Sequence, residues 1–219
     1  MADILLTGFQ PYGGRQLNPS AEVLRALGGS SIEGATVRTL LLPCSFTAAK
    51  DPLEQAIATH RPTVVLSTGL WPGEPMIRLE RVAVNRASFE IPDNDGALLL
   101  DDPVDAQGPV ARAVTLPVGR IITALRRKGI PARTSDTAGT FLCNATLYRA
   151  LAACEQVGHG ARCGFLHLPY LPQQVAELLD ELSQQGQLEL HQRADLASMS
   201  LDTMVEAVRT TLAVSVAGA

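Results

Sequence analysis

Asp3-Ile-Leu-Leu-Thr-Gly8, Thr36-Val-Arg-Thr-Leu-Leu-Leu42 and Thr63-Val-Val-Leu-Ser67 are three short apolar runs inside the first 70 residues, the last leading into Gly69. Runs this short, bounded by turn residues, predict strands buried on both faces. Between them, Asn18-Pro-Ser20 starts a helix around Ala21–Leu27, and a second helix is expected from Phe46 to His60. Strand, helix, strand, helix, strand is the order of a mostly parallel twisted sheet with right-handed crossovers. Such sheets collect ligands at the carboxyl ends of their strands, where the segments Phe9–Gly14 and Gly69–Gly73 fall.

Further along, Ile77-Arg-Leu-Glu-Arg-Val-Ala-Val-Asn85 has strand composition, and a period of two puts Glu80 on one face with Val82 and Val84. A carboxylate on an apolar face has to be paired. A plain salt bridge to Arg78 or Arg81 competes with a functional role. Phe89-Glu-Ile-Pro-Asp-Asn-Asp-Gly96 carries turn residues, and Leu98–Gly108 reads as an exposed excursion. Val118–Lys128 is helical by its apolar spacing and stops at Gly129. Arg162-Cys-Gly-Phe-Leu-His-Leu-Pro169 is another strand, with His167 at its carboxyl end. An amphipathic helix around Val175–Leu182, a polar surface stretch from Gln184 to Ser198, and a closing helix capped by Ser200 complete the chain. His60, His159 and His191 lie in weaker settings, at a helix end, in a Gly-rich turn and in the polar stretch. No repeat or linker divides residues 1–219, so one domain is expected.

Ala138-Gly-Thr-Phe-Leu-Cys-Asn-Ala-Thr-Leu-Tyr148 is the candidate centre. Cys143 follows a β-like stretch, Ala132–Ser135, and opens a segment read as helix from Asn144 to Cys154. A thiol at a helix start faces unpaired N–H groups, which favour thiolate. Sites of this kind lower a thiol from about 8.5 to roughly 3.5–7.5. Burial as an inert small hydrophobe is the competing reading.

Composition narrows the classes. The 219 residues are 46% hydrophobic with a mean hydropathy of +0.13, enough for a large core. Net charge is −4 and no basic stripe exists, which argues against a nucleic-acid partner. The opening Met-Ala-Asp lacks the basic region of a signal peptide, and no apolar run reaches membrane-spanning length. The four cysteines, at 44, 143, 154 and 163, form no metal-ligand spacing. A reduced, cytoplasmic protein without metal or cofactor is expected. The loop after the first strand has neither the dinucleotide nor the P-loop glycine pattern, but it holds two aromatics, Phe9 and Tyr12, in a chain with five Phe and three Tyr.

A thiol, an imidazole and a carboxylate at element ends of one α/β sheet suggest nucleophile, base and orienter. In this arrangement the chain resembles the pyrrolidone-carboxylate peptidase (pyroglutamyl peptidase I) family of cysteine exopeptidases. The resemblance rests on Thr7-Gly-Phe-Gln-Pro-Tyr-Gly-Gly14 with Asn18-Pro19, Leu79-Glu-Arg-Val-Ala-Val-Asn85, Ile91-Pro-Asp-Asn-Asp-Gly96 and Thr115-Leu-Pro117. It continues through Ser135–Asn144, Gly164-Phe-Leu-His-Leu-Pro-Tyr170 and Ser198-Met-Ser-Leu201. It implies a three-layer α/β/α sandwich, a homotetramer and removal of N-terminal pyroglutamate from peptides through a thioester. It assigns the nucleophile to Cys143, the base to His167 and the acidic member to Glu80. The ring pocket falls on Phe9, Tyr12 and Phe141, with Asn18, Leu70, Ile91 and Leu142 as further contacts.

Two positions depart from the family pattern. Glu90 stands where many members carry an arginine close to the nucleophile, and is expected to modulate the thiol by raising its pKa. The loop Leu70-Trp-Pro-Gly-Glu-Pro75 replaces a commoner Gly/Ala-rich version. These departures keep open an alternative, a catalytically weakened relative that binds a lactam-type ligand. A nucleoside-phosphorylase-like enzyme on a similar sandwich would want basic phosphate ligands, which the chain does not offer.

Overall fold

Neighbouring residues of β1 (Asp3–Phe9) point into two different cores, and that alternation sets the architecture. Ile4 and Leu6 face one side while Leu5 faces the other. The same split recurs in β4 (Val64–Leu70), where Val64 and Leu66 oppose Val65, and in β9 (Arg162–Leu168), where Leu166 and Leu168 oppose Cys163 and Phe165. A sheet apolar on both faces must be covered on both. In this computed structural model, which describes residues 3–187 and 196–217, it is. Helices α1 (Pro19–Leu27), α3 (Val118–Arg127) and α6 (Leu201–Val216) close one face, and α2 (Lys50–His60) and α4 (Leu142–Val157) close the other. The result is the expected three-layer α/β/α sandwich.

The main sheet has seven strands in the order β2-β3-β1-β4-β9-β5-β8, with β2 Ser31–Ile32, β3 Ala35–Leu42, β5 Ile77–Glu80 and β8 Ala132–Ser135. Strands β3, β1, β4 and β9 are parallel, whereas β5 runs antiparallel to β9 and carries β8 alongside it in parallel. The sheet is therefore mixed but mostly parallel. A small second sheet pairs β6 (Val82–Val84) with β7 (Ala111–Ala113).

Several element ends follow local chemistry. Asn18 caps α1 through its side chain, and Ser200 caps α6 as its sequence position predicts. Gly158 ends α4 in the left-handed region, at φ 64°. The expected helix from Phe46 begins only at Lys50. Pro52 has no N–H and fits the first turn of a helix but not its interior, and the Phe46 N–H is taken by the Asp93 carboxylate at 2.8 Å. The expected strand Ile77–Asn85 is broken at Arg81, whose N–H donates to the Ser135 carbonyl (2.8 Å) while its own carbonyl accepts from Val114. Glu80 therefore does not share a sheet face with Val82 and Val84. The excursion is exposed at Leu98 and Leu100, as expected. The polar stretch lies in part outside the described residues, as does His191. Helix α5 (Pro172–Gln184) covers the expected amphipathic segment. No helix among the described residues is long and apolar enough to cross a membrane.

The three-layer packing makes a direct stability prediction. Leu5 and Leu6 are adjacent, both buried and on opposite faces. Leu5→Ala and Leu6→Ala should each cost about 2–5 kcal/mol by chemical denaturation. A sheet covered on one face only would tolerate one of the two.

Candidate active site

Glu80 is the last residue of β5 and His167 the last but one of β9. Because these strands are antiparallel with Arg78 directly opposite His167, Arg78, Glu80 and His167 share one face of the sheet. His167 Nδ1 lies 2.7 Å from Glu80 Oε1. A carboxylate oxygen accepts, so Nδ1 carries the proton and Nε2 is left with a lone pair. Nε2 is buried and has no hydrogen-bond partner among the described residues. Of the two arginines that the sequence offers Glu80, the structure chooses Arg78, whose Nε donates to Oε1 at 3.2 Å. Arg81 pairs instead with Asp136.

Arg78 is itself buried and fully engaged. It donates to Ser135 Oγ (2.8 Å), the Thr137 carbonyl (2.7 Å) and Glu74 (3.4 Å), and lies 3.7 Å over the ring of Trp71. Trp71 in turn sets its edge against His167, with centroids 4.9 Å apart. Burial is the main influence on His167 and lowers its pKa. Glu80 opposes that shift and Arg78 reinforces it. The imidazole is thus neutral at neutral pH.

Cys143 is the second residue of α4. Its N-cap, Phe141, has no side-chain acceptor to offer, so the first-turn N–H groups stay available. The start of this helix is tied down by Asn144, which accepts from Val84 N and donates to the carbonyls of Val84 and Arg86, each at 2.9 Å. The Cys143 sulfur sits over Gly69 of β4: a Cβ added there would lie 2.8 Å from Sγ and 2.9 Å from Phe165 Cζ. Gly69 is the register partner of His167. A glycine on the neighbouring strand thereby makes room for the thiol beside the imidazole.

Burial holds the Cys143 thiol above its ordinary range, and Cys44 and Glu80 add to the shift. Arg78 and the residue's own backbone N–H oppose it. The helix N-terminus acts in the expected direction but is outweighed, so the expected depressed pKa is not found. Glu90 is exposed on the cavity wall, where solvent screens its charge.

Two cavities meet at Cys143. The smaller, about 40 Å³, is walled by Phe9, Asn18, Cys44 and Leu142 and by Tyr12, Leu70 and Phe141. The larger, about 330 Å³, shares those last three residues and adds Trp71, Ser88, Glu90, Ile91, Thr140 and His167. Every expected pocket residue thus lines one cavity or the other, with Glu80 behind His167. Tyr12 and Phe141 are tilted at 50° with centroids 6.4 Å apart, and burial pushes Tyr12 up to about 12, with Cys143 contributing. The side chain of Asn18 is spent on scaffolding: Oδ1 accepts from Ser20 N and Oγ, and Nδ2 donates to the Gln10 carbonyl. The turn 91–96 is scaffolding as well. Asp93 accepts from the N–H groups of Phe46, Asp95 and Ala97, and Asn94 Nδ2 donates to the Pro11 carbonyl. Sequence reasoning missed Cys44, whose thiol donates to the Gln10 carbonyl, and Phe89, which packs edge-on against Phe141 at 4.5 Å. Neither carries a local signal, since each reaches the site from a distant loop.

A thiol at a helix start, set beside a neutral imidazole that a carboxylate holds from behind, is the equipment of a cysteine hydrolase on an α/β/α sandwich. Comparison with known proteins narrows this class. The model of the pyroglutamyl peptidase family matches residues 2–217, and the chain belongs to that family of cysteine peptidases. The pyrrolidone-carboxylate peptidase of Chromobacterium violaceum is 46% identical over 175 residues, 80% of this chain and 81% of the relative. That of Cupriavidus pinatubonensis is 38% identical over 99% of this chain and 94% of its own. The solved pyrrolidone carboxyl peptidase of Thermococcus litoralis superposes with a TM-score of 0.90 at 34% identity, covering 99% of this chain and 94% of that one.

Alkylation tests the thiol directly. Cys143 is partly exposed whereas Cys44, Cys154 and Cys163 are buried, so iodoacetamide should label it first by peptide mapping. Because only thiolate reacts and the pKa is raised, the rate should keep climbing above about pH 8.5 rather than level off near neutrality. Equal labelling of all four, or a plateau below pH 8, would contradict this geometry.

Proposed function

We propose that this chain removes N-terminal pyroglutamate from peptides, with Cys143 as nucleophile, His167 as acid–base and Glu80 as orienter. The observation that carries the reading is the Nδ1–Oε1 bond, which leaves His167 Nε2 buried and unpartnered on the cavity that Cys143 lines. Both reacting groups rest neutral, so proton transfer accompanies attack. Nε2 takes the thiol proton as Sγ adds to the carbonyl that joins the ring to the next residue. The backbone N–H of Cys143 is positioned to hold the developing oxyanion. The imidazolium, stabilised by Glu80, then protonates the departing amine and leaves a pyroglutamyl thioester. Nε2 next removes a proton from water, the hydroxide adds to the thioester, and the thiolate leaves with that proton returned.

The smaller cavity suits the ring. At about 40 Å³ it holds only a few waters, so it is suited to a small flat ring rather than to an extended side chain. Its aromatic walls offer faces to a neutral ring that lacks the ammonium of an ordinary N-terminus. Backbone groups near Leu70 supply polar partners for the lactam amide. Proline lacks the ring carbonyl and would leave such a partner unpaired, which is a strong basis for rejection.

A chromogenic pyroglutamyl anilide should be hydrolysed and its prolyl counterpart spared. Binding without turnover would instead favour the weakened-relative reading. Cys143→Ala and His167→Ala should each lower turnover by about 10⁴-fold or more, and Glu80→Gln by measurably less, because the reacting groups remain. A wild-type rate in either alanine variant would remove the assignment.

The pH profile is a separate check. A base works only when neutral, and His167 is shifted below its ordinary value of about 6.5. The acid limb of kcat/KM should therefore lie below about pH 6.5. Arg78→Met removes a cation that opposes imidazole protonation, so the limb should move to higher pH. A limb unmoved by that substitution would show that Arg78 does not act on the imidazole.

A further inference from the structure

The two cavities at Cys143 differ in shape and in charge. The small one is walled mainly by aromatic and aliphatic side chains, with Asn18 and Cys44 among them. The large one runs past Cys143 and His167 to the exposed Glu90 and Ile91, and among the described residues that line it only Glu90 carries a formal charge at neutral pH. The position of Glu90 is built rather than incidental. Ser88 N donates to the Thr140 carbonyl at 3.0 Å, and Thr140 Oγ1 donates back to the Ser88 carbonyl at 2.7 Å. This double bond of hydrogen bonds fastens segment 88–91 to the loop that leads into Cys143. Phe89 is buried between Phe46 (5.9 Å) and Phe141 (4.5 Å). With Phe89 anchored inward, Glu90 and Ile91 are both exposed on the cavity. Among the described residues Glu90 has neither a hydrogen bond nor an ion pair. The arginines nearest to it in sequence are paired elsewhere, Arg86 with Asp101, Arg81 with Asp136 and Arg78 with Glu80, while Arg15 acts on Tyr12, another residue lining the same cavity.

We propose that the larger cavity is the subsite for the residue that follows pyroglutamate, and that Glu90 makes it selective for a cationic side chain. The inference rests on the pyroglutamyl peptidase reading and specifies the substrate class within it. With the ring in the small cavity and its carbonyl at Cys143, the departing amine and its side chain have the larger cavity to occupy. Lysine or arginine there lays its aliphatic stem on Trp71 and Ile91 and keeps its charged end in solvent near Glu90. A glutamate at the same place meets a like charge. The pairing is solvent-exposed, so it is worth only about two- to fivefold in rate per unit change of charge. It is correspondingly sensitive to salt.

The test compares kcat/KM for pyroglutamyl-lysyl-alanine, pyroglutamyl-glutaminyl-alanine and pyroglutamyl-glutamyl-alanine. All three carry the same terminal carboxylate. In the wild type the order should be lysine, glutamine, glutamate, with each step about two- to fivefold at low salt. The spread should shrink at about 0.5 M sodium chloride. In Glu90→Gln the lysine-to-glutamate ratio should fall to near one, and in Glu90→Arg it should invert. A wild-type ratio that persists unchanged in Glu90→Gln overturns the proposal, as does a wild type that cleaves all three equally. Failure to cleave any of them, or a chromogenic pyroglutamyl anilide, is a different result, which removes the peptidase reading itself.

Discussion

Buried charge organises this molecule. Glu80, Arg78 and Glu74 are 0%, 4% and 4% exposed, and His167 is wholly buried beside them. Taking ions out of water costs several kcal/mol each unless geometry and hydrogen bonds compensate. Here compensation is nearly complete: Arg78 serves two carboxylates, a hydroxyl, a carbonyl and an indole face, while Arg133 covers the far side of Glu74. The atoms left over are Glu80 Oε2 and His167 Nε2. Of these, only the imidazole nitrogen belongs to a side chain that lines the cavity. The cluster requires β5 to run against β9, since that direction sets Arg78 opposite His167 and brings Glu80 within reach of Nδ1.

The two hydrophobic cores make the cluster possible. Helix α4 packs on the core face that holds Leu5, Val65 and Phe165 and delivers its first turn over β4. Its start is fixed by Asn144 rather than by a capping side chain. The cap-free N-terminus keeps backbone N–H groups at the site, while the asparagine one residue on satisfies three backbone groups of the neighbouring segment. The facing loop is braced in the same way, by Asn18, Asp93 and Asn94. These polar side chains hold walls, and the walls themselves are aromatic and aliphatic.

The thiol shows how opposing effects are weighed. A helix start and a nearby guanidinium favour thiolate, yet desolvation dominates, and the net shift is upward. The same desolvation keeps His167 neutral. Thiol and imidazole are both uncharged at neutral pH, so the charge buried here is confined to the Glu80, Arg78 and Glu74 cluster behind them.

Much of the fold and part of the site were legible in the chain. Apolar runs of strand length, helical spacing, the Asn18 helix start, the Ser200 cap and the Gly129 stop act over a few residues, and all reappear in the structure. The motifs around Glu80, Cys143 and His167 pointed to strand or helix ends of one sheet. What sequence left open depended on partners far along the chain. Arg78 and Arg81 both flank Glu80 in sequence; Arg78 shares its strand face, and the break at Arg81, whose backbone bonds Ser135 and Val114, leaves that side chain to Asp136. Phe46, expected in a helix, was claimed by Asp93, 47 residues away. His167 and Glu80 are 87 residues apart, and nothing local signals their contact. The sign of the Cys143 shift was misread for the same reason: dipole and capping are local, whereas burial is the sum of everything the other elements bring. Periodicity and caps are written within a turn or a strand, but depth, register and choice of partner exist only once the sheet has closed.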